Sequence, residues 1–303
     1  MPSVIATGNH PKALWPGVKA WFGVGYGEHP EEFRDLFDTS TSDQAWEEDV
    51  MTSGFPLAQI KREGQARTYA GHAQVYTARY THVAYSLGYI VTYEELKDNK
   101  YEKLSSGRAK SLGFSMRQTK ENVGANVYNR AFNTNYTGGD GQILIVGTHP
   151  SAIGSQSNVL ATAADISEVS LEDLIIMVMG ATDHNGLKIG LMARSLHVPR
   201  QLWFEANRIL KSTLQVDSAN NTVNVLKMTG EFPSGIKVNH FFSDSDAYFV
   251  RTNCPDGMKH YQRDRIDLEQ DNDFDTKNAR ASSYDRYAFG WSDWRSVYGT
   301  PGA

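Results

Sequence analysis

Residues 101–132 read YEKLSSGRAKSLGFSMRQTKENVGANVYNRAF. Leu112, Met116, Val123, Val127 and Ala131 recur at three- to four-residue spacing, with Lys, Arg, Glu and Asn around the rest. That periodicity predicts one long amphipathic helix. At about 1.5 Å per residue it would reach roughly 45 Å, longer than most globular helices. Gly107, Gly113 and Gly124 lie inside it. Each costs up to about 1 kcal/mol relative to alanine, so close packing or a tolerated bend has to account for them. The alternative is two shorter helices broken at Gly113.

Working outward, TYEEL offers Thr92 as an N-cap with Glu95 three residues on, a capping box that announces a helix. Before it, residues 54–91 are rich in Tyr, Thr, Val and Ala, with turn residues at Gly64 and Gly71 and partial two-residue alternation. This predicts a long β-hairpin with too few large aliphatics for a core of its own. On periodicity alone, a two-stranded piece packed on its own domain fits as well. Residues 1–45 carry Pro2, Pro11, Pro16 and Pro30 and suit an extended arm with one short helix starting at HPEEFRDLF.

Downstream, 133–240 reads as a mixed α/β region opened by the loop NTNYTGGDGQ. Leu171, Leu174, Ile175 and Val178 form one helical face, and Leu202, Ala206, Ile209 and Leu210 another after Pro199. Between them LKIGLMA, with Leu187, Ile189 and Leu191 alternating, predicts a strand. From 245 the chain turns to β: AYFVRT, MKHYQRDRIDLEQ and ARASSYDRYAFGWSD alternate, the last with Ala279, Ala281, Tyr287, Phe289 and Trp291 on one side.

The 303 residues are 40% hydrophobic, enough for a substantial core in an ordered protein. The net charge of −5, without a run of five like charges, argues against a surface that grips nucleic acid; any contact with DNA should be loose and unspecific. Cys254 is the only cysteine, which excludes an intrachain disulfide and a cysteine-ligated zinc within one chain, and fits a reducing compartment. No signal peptide and no run of about 18 apolar residues occurs, so a soluble, cytoplasmic chain is expected, with no membrane partner.

Motifs for chemistry are absent. DNDFDT (271–276) begins like a calcium loop, but Thr276 stands where the glycine and Ser282 where the bidentate glutamate is needed. GVGYGE lacks the dinucleotide spacing, and TGGDGQ is followed by no Lys-Ser/Thr pair. The nine histidines are scattered, and DHNG (Asp183 to Gly186) is a turn signal before it is an acid–histidine pair. No catalytic residue, metal site or cofactor is expected. An arm, a hairpin and a very long helix that cannot bury themselves call for neighbouring subunits that bury them.

The order of these segments resembles the HK97-fold major capsid proteins of tailed bacteriophages, in particular the branch of Mu-type major head subunits. The resemblance is carried by PGVKAWFG, SDQAWEEDV, GFPLAQIKREGQ, RYTHVAYSLGYIVTYEELKDN, QTKENVGANVYNRAFN, THPSAIGSQSNVLAT, HFFSDSDAYFVRT and the ending DNDFDTKNARASSYDRYAFGWSDWRSVYGTPGA. It covers nearly the whole chain, and its specificity rests on the number and order of the segments.

The resemblance implies an α+β HK97-like capsid fold: an N-arm at 1–45, an E-loop hairpin and its base at 46–95, a spine helix of the P-domain at 96–133, an A-domain at 134–244 and P-domain terminal strands at 245–303. It implies a structural, non-enzymatic function: copies assemble as hexamers and pentamers into an icosahedral shell that encloses phage double-stranded DNA, built in the host cytoplasm and present in the virion capsid. An encapsulin-type protein nanocompartment shares the fold and is the alternative. A soluble α/β enzyme would leave hairpin and arm unexplained.

Assembly contacts are implied for Lys61, Arg62, Glu63, Gln65 and Arg67 of the E-loop and for Asp271, Asp273, Asp275, Lys277 and Asn278 at the P-domain tip, where Arg263, Arg265 and Arg280 are nearby basic groups. Some family members join E-loop and P-domain of different subunits by a lysine–asparagine isopeptide bond assisted by a buried acid. Lys61, Asn278 and Asp285 fall about where those partners would, with a one-residue offset. A portal is an implied partner, with decoration proteins possible in the family. The capsid-like part begins within the first few tens of residues, so any scaffold is expected to be a separate protein, with no large propeptide cut away.

Overall fold

The computed structural model describes residues 15–97, 101–214, 223–273 and 275–303. The chain enters through α1 (Trp15–Tyr26), the short α2 (Phe33–Leu36) and β1 (Asp38–Thr41). β2 (Trp46–Thr52), β3 (Gln74–Thr81) and β4 (Val83–Val91) follow, then α3 (Tyr93–Lys97) and the long α4 (Tyr101–Asn129). The middle holds β5 (His149–Ser151), β6 (Gly154–Gln156), α5 (Glu168–Met179), β7 (Ala193–Pro199), α6 (Trp203–Lys211), α7 (Val225–Thr229) and β8 (Ile236–Asn239). The chain closes through β9 (Tyr248–Thr252), β10 (Met258–Asn272), β11 (Ala279–Trp291) and β12 (Val297–Thr300).

The long helix is continuous through Gly113, so the broken alternative falls. Its buried seam runs through Ala109, Leu112, Met116, Lys120, Glu121, Ala125, Tyr128 and Ala131. Val123 and Val127, expected on that seam, sit half-buried at its flank. The buried face is centred on polar and small positions, which apolar periodicity alone does not count. Gly113 is explained by α1: a Cβ there would lie 2.5 Å from the Phe22 carbonyl oxygen, because the two helix backbones touch. Val18, Phe22, Ala109, Leu112, Met116 and Leu268 close the core around that crossing. Residues 1–14 of the expected extended arm lie outside the described residues, and 15–26 is helical rather than extended.

The first four-stranded sheet has the order β1-β10-β11-β4, with β1 parallel to β10 and the other pairs antiparallel. α4 packs on this sheet. The expected hairpin over 54–91 is different: β2 pairs with β3, whereas β4 leaves to pair with β11. Residues 53–73 between β2 and β3 contain no strand.

The second sheet has the order β12-β9-β7-β8, flanked by α5 and α6. Leu171, Leu174, Ile175 and Val178 are buried, as are Ala206 and Ile209, with Leu202 and Leu210 partly covered. The strand expected over 187–193 starts only at Ala193, because Gly190 turns at φ 61 and Leu187 makes a local turn with Asp183. Residues 245–303 divide between the sheets. β10 and β11 form the long hairpin of the first, whereas β9 and β12 join the second, since every residue of β9 and of β12 is buried. Between the two sheets, Tyr128, Ile145, Phe249, Met258 and Val297 form a shared core.

Candidate assembly surfaces

The 53–73 arm is a closed loop at its base and free at its tip. Ser53 N–H donates to the Ala73 carbonyl (2.9 Å), and Ala73 N–H donates to Ser53 Oγ (3.1 Å). The 183–186 turn clasps this base: Asn185 Nδ2 donates to the Ser53 carbonyl at 2.6 Å. The turn itself is held by Asp183, whose Oδ1 accepts from the N–H groups of Asn185 (2.8 Å) and Leu187 (2.7 Å). DHNG therefore acts as a turn.

Beyond the base, Lys61, Arg62, Glu63, Gln65 and Arg67 are all exposed, around a turn closed by Gln65 N–H donating to the Arg62 carbonyl. Large apolar side chains share that exposure: Leu57 is 76% exposed, Tyr69 90% and Ile60 93%. Large apolar side chains this exposed and this close in sequence are uncommon on the surface of a single chain.

The β10–β11 hairpin ends in a compact turn. Asp273 N–H donates to the Asn278 carbonyl and Lys277 N–H to the Asp273 carbonyl, both at 2.9 Å, and Lys277 adopts φ 57. Asp273 also pairs with Arg280 and accepts the Asp275 N–H at 3.2 Å; that backbone hydrogen bond is the main cause holding its carboxyl below the usual range. Asn278 Oδ1 accepts the Tyr93 N–H (3.2 Å), tying the tip to the start of α3, and Lys277 Nζ lies 5.5 Å from the centre of the Tyr93 ring. Asp271 and Asp275 are exposed. The turn thus spends Asp273 and Asn278 on its own geometry and leaves Asp271 and Asp275 to face outward.

Asp285 is elsewhere. It is buried and contacts Lys120 (3.4 Å) and Gln262 (2.6 Å). Seven residues of extended strand, roughly 24 Å at strand rise, separate it from Asn278, so one chain does not bring the two together. Sequence reasoning missed the polar groups on the inner face of α4. Glu121 accepts the N–H of Phe33 (2.8 Å) and of Glu32 (3.2 Å) at the start of α2, and burial pushes its carboxyl up to about 7. Arg117 pairs with Glu31 at 2.6 Å and lies 4.3 Å from the centre of the Tyr26 ring. The signal was available: charged residues at 117, 120 and 121 fall on the helix face that also carries Leu112 and Met116.

The architecture is one of projections on two sheets joined by a long helix, and the phage capsid protein family matches it across residues 75–299. The chain belongs to that family. Solved structures agree in fold. A virus-like particle from Pyrococcus furiosus aligns with a TM-score of 0.58 at 11% identity, over 94% of this chain and 98% of that one. A structure of Mycobacterium phage Patience aligns at 0.55 and 12%, over 99% and 89%. The capsid of a native GTA particle aligns at 0.56 and 10%, over 90% of each chain. No curated protein sequence matches the chain. The fold is the HK97-like capsid fold in its α+β form, and the protein is a structural, non-enzymatic component of the virion capsid that assembles into multimeric shells.

Proposed function

We propose that this capsid protein forms hexamers and pentamers that close an icosahedral shell around double-stranded DNA, each copy laying its 53–73 arm on a neighbour. The exposed Leu57, Ile60 and Tyr69 carry this reading, since a side chain of that size is worth about 1.5–3 kcal/mol when covered and none of the described residues covers it. Lys61, Arg62, Glu63, Gln65 and Arg67 then surround an apolar contact, and Asp271, Asp273, Asp275, Lys277 and Asn278 meet other copies at the hairpin tip. Many weak contacts per copy suffice because avidity multiplies them. The net charge of −5 suits a container that must not hold its polyanionic content tightly.

A portal, and a separate scaffold or decoration protein, complete the assembly in the host cytoplasm. The placement beside Mu-type head subunits rests on the sequence segments quoted above. A bond from Lys61 of one copy to Asn278 of another remains part of the proposal. It needs an acid other than the Asp285 of the chain that provides Asn278, and it is refuted if boiled particles run as a single band of monomer mass.

Electron microscopy of the purified protein, with ultraviolet absorbance for nucleic acid on the same fraction, tests the whole. Uniform polyhedral shells with nucleic acid support it. Shells filled with protein favour the nanocompartment reading, and a stable small oligomer that forms no shell with its phage's other head proteins overturns both.

A further inference from the structure

On the inner face of α4, Lys120, Gln262 and Asp285 are buried against one another, and the carboxamide sits between the amine and the acid. Its orientation is set from the nitrogen side. Gln262 Nε2 donates to Asp285 Oδ1 (2.6 Å), to the Asp264 carbonyl (2.6 Å) and to the Arg286 carbonyl (3.3 Å), which turns the carbonyl oxygen toward Lys120 Nζ, its hydrogen-bond donor. Lys120 Nζ is also 3.4 Å from Asp285 Oδ2. The strand is bulged here: pairing of β10 with β11 shifts register between Gln262 and Asp264, the kind of irregularity that re-aims a side chain.

We propose that Lys120 and Gln262 join in an isopeptide bond within one chain, formed without an enzyme, with Asp285 as the proton carrier. The amine attacks Gln262 Cδ, and a C–N bond forms to Lys120 Nζ. Asp285 takes a proton from the attacking nitrogen through Oδ2 and returns one to Nε2 through Oδ1. The bond from Cδ to Nε2 then breaks and ammonia leaves. Amine plus carboxamide gives secondary amide plus ammonia, with no oxidant, reductant or co-reactant. A cavity of about 420 Å³, bordered by Lys120, Gln262, His260, Tyr26 and Arg34, adjoins the cluster and receives the ammonia.

Three physical effects favour the step. Burial pushes the Lys120 amine down and the Asp285 carboxyl up, each toward its neutral form, and the positive Arg117 and Arg34 add to the effect on Lys120. His260, beside the amine, is held neutral chiefly by burial. The rings of Tyr287, at 4.8 Å from Nζ, and Phe33, at 5.4 Å, flank the amine with apolar surface. Fixed contact between groups that would otherwise meet by diffusion is worth an effective molarity on the order of 10⁵ M or more. The bond would tie α4 to β10 across 142 positions, independently of any neighbouring subunit.

The test is the intact mass of the chain, taken in denaturant from assembled particles and from the unassembled chain. The expected mass is that of the sequence less one ammonia. Because Asn185-Gly186 can also lose ammonia as a succinimide, tryptic mapping decides: the expected product is a branched peptide joining residues 118–130 to 260–263, uncut after Lys120. Asp285→Asn should return the full mass with the two peptides separate. Should that variant fail to fold, the wild-type peptide map still decides. Separate peptides in both wild-type samples overturn the proposal; the branched peptide persisting in Asp285→Asn overturns the role of Asp285.

Discussion

At the scale of single residues, two kinds of buried group govern this molecule: glycines where backbones touch, and titratable side chains inside the core. Gly113 faces the Phe22 carbonyl and the Tyr26 N–H of α1, so no side chain fits without moving a helix. Gly113→Leu should lower stability by about 3 kcal/mol, read as a fall in the urea midpoint. His197 and His260 are held neutral by burial, with pKa pushed down to about 3 from 6.5. The unfolded chain takes up those protons near 6.5, so the stability each ring contributes is present above that pH and lost as pH falls below it. By pH 5 the loss is roughly 2 kcal/mol per ring. Glu121, raised to about 7, acts in the opposite sense: its contribution is present below 4.5 and fades as pH rises to about 7. The gap between urea midpoints at neutral and mildly acid pH should therefore narrow in His260→Phe relative to the wild type, with His197 still contributing its share.

At the scale of elements, the 53–73 arm and the β10–β11 tip should uncouple folding from assembly. Ile60→Asp and Leu57→Asp remove apolar surface that none of the described residues covers, so the unassembled chain should melt within about 0.5 kcal/mol of the wild type. Particle yield should drop sharply, measured by sedimentation. At the tip, Asp275→Lys and Asp273→Lys should differ. Asp275 is exposed, and its reversal should lower the heat stability of particles while leaving the free chain unchanged. Asp273 holds Arg280 and the turn, so its reversal should weaken both. Particles of unchanged yield and heat stability in both variants would remove the tip from the assembly contacts.

The whole molecule joins two sheets through one helix and a shared aromatic core, and places its apolar surplus on a projection. Trypsin should cut the unassembled chain first at Lys61, Arg62 and Arg67, because the arm is exposed and has no strand pairing past its base. In shells the same sites should be protected, visible as an intact band on a gel. Equal cleavage in both states would mean that the arm does not lie between copies.

The long helix, the buried faces of α5 and α6, the capping of α3 by Thr92 and the alternation of β10 and β11 were legible in the sequence, because local periodicity and capping are local physics, whereas β9 is buried on both faces. The family was legible too, in the order of short segments. The partner of each strand was not. β3 and β4 both fell within the single hairpin expected over 54–91, yet β3 pairs with β2 and β4 with β11. The turn at Gly190 likewise broke an alternating run that read as a strand. Nor could spacing place Asp285 against Lys120 and Gln262 rather than near Asn278. Sequence alone determined the long helix, the apolar faces of α5 and α6 and the long strands β10 and β11, but not α1 or the turn that replaces a strand at Gly190. Only the tertiary structure decided which polar groups meet inside, since those contacts join positions more than a hundred residues apart and depend on which face of each sheet the core selects.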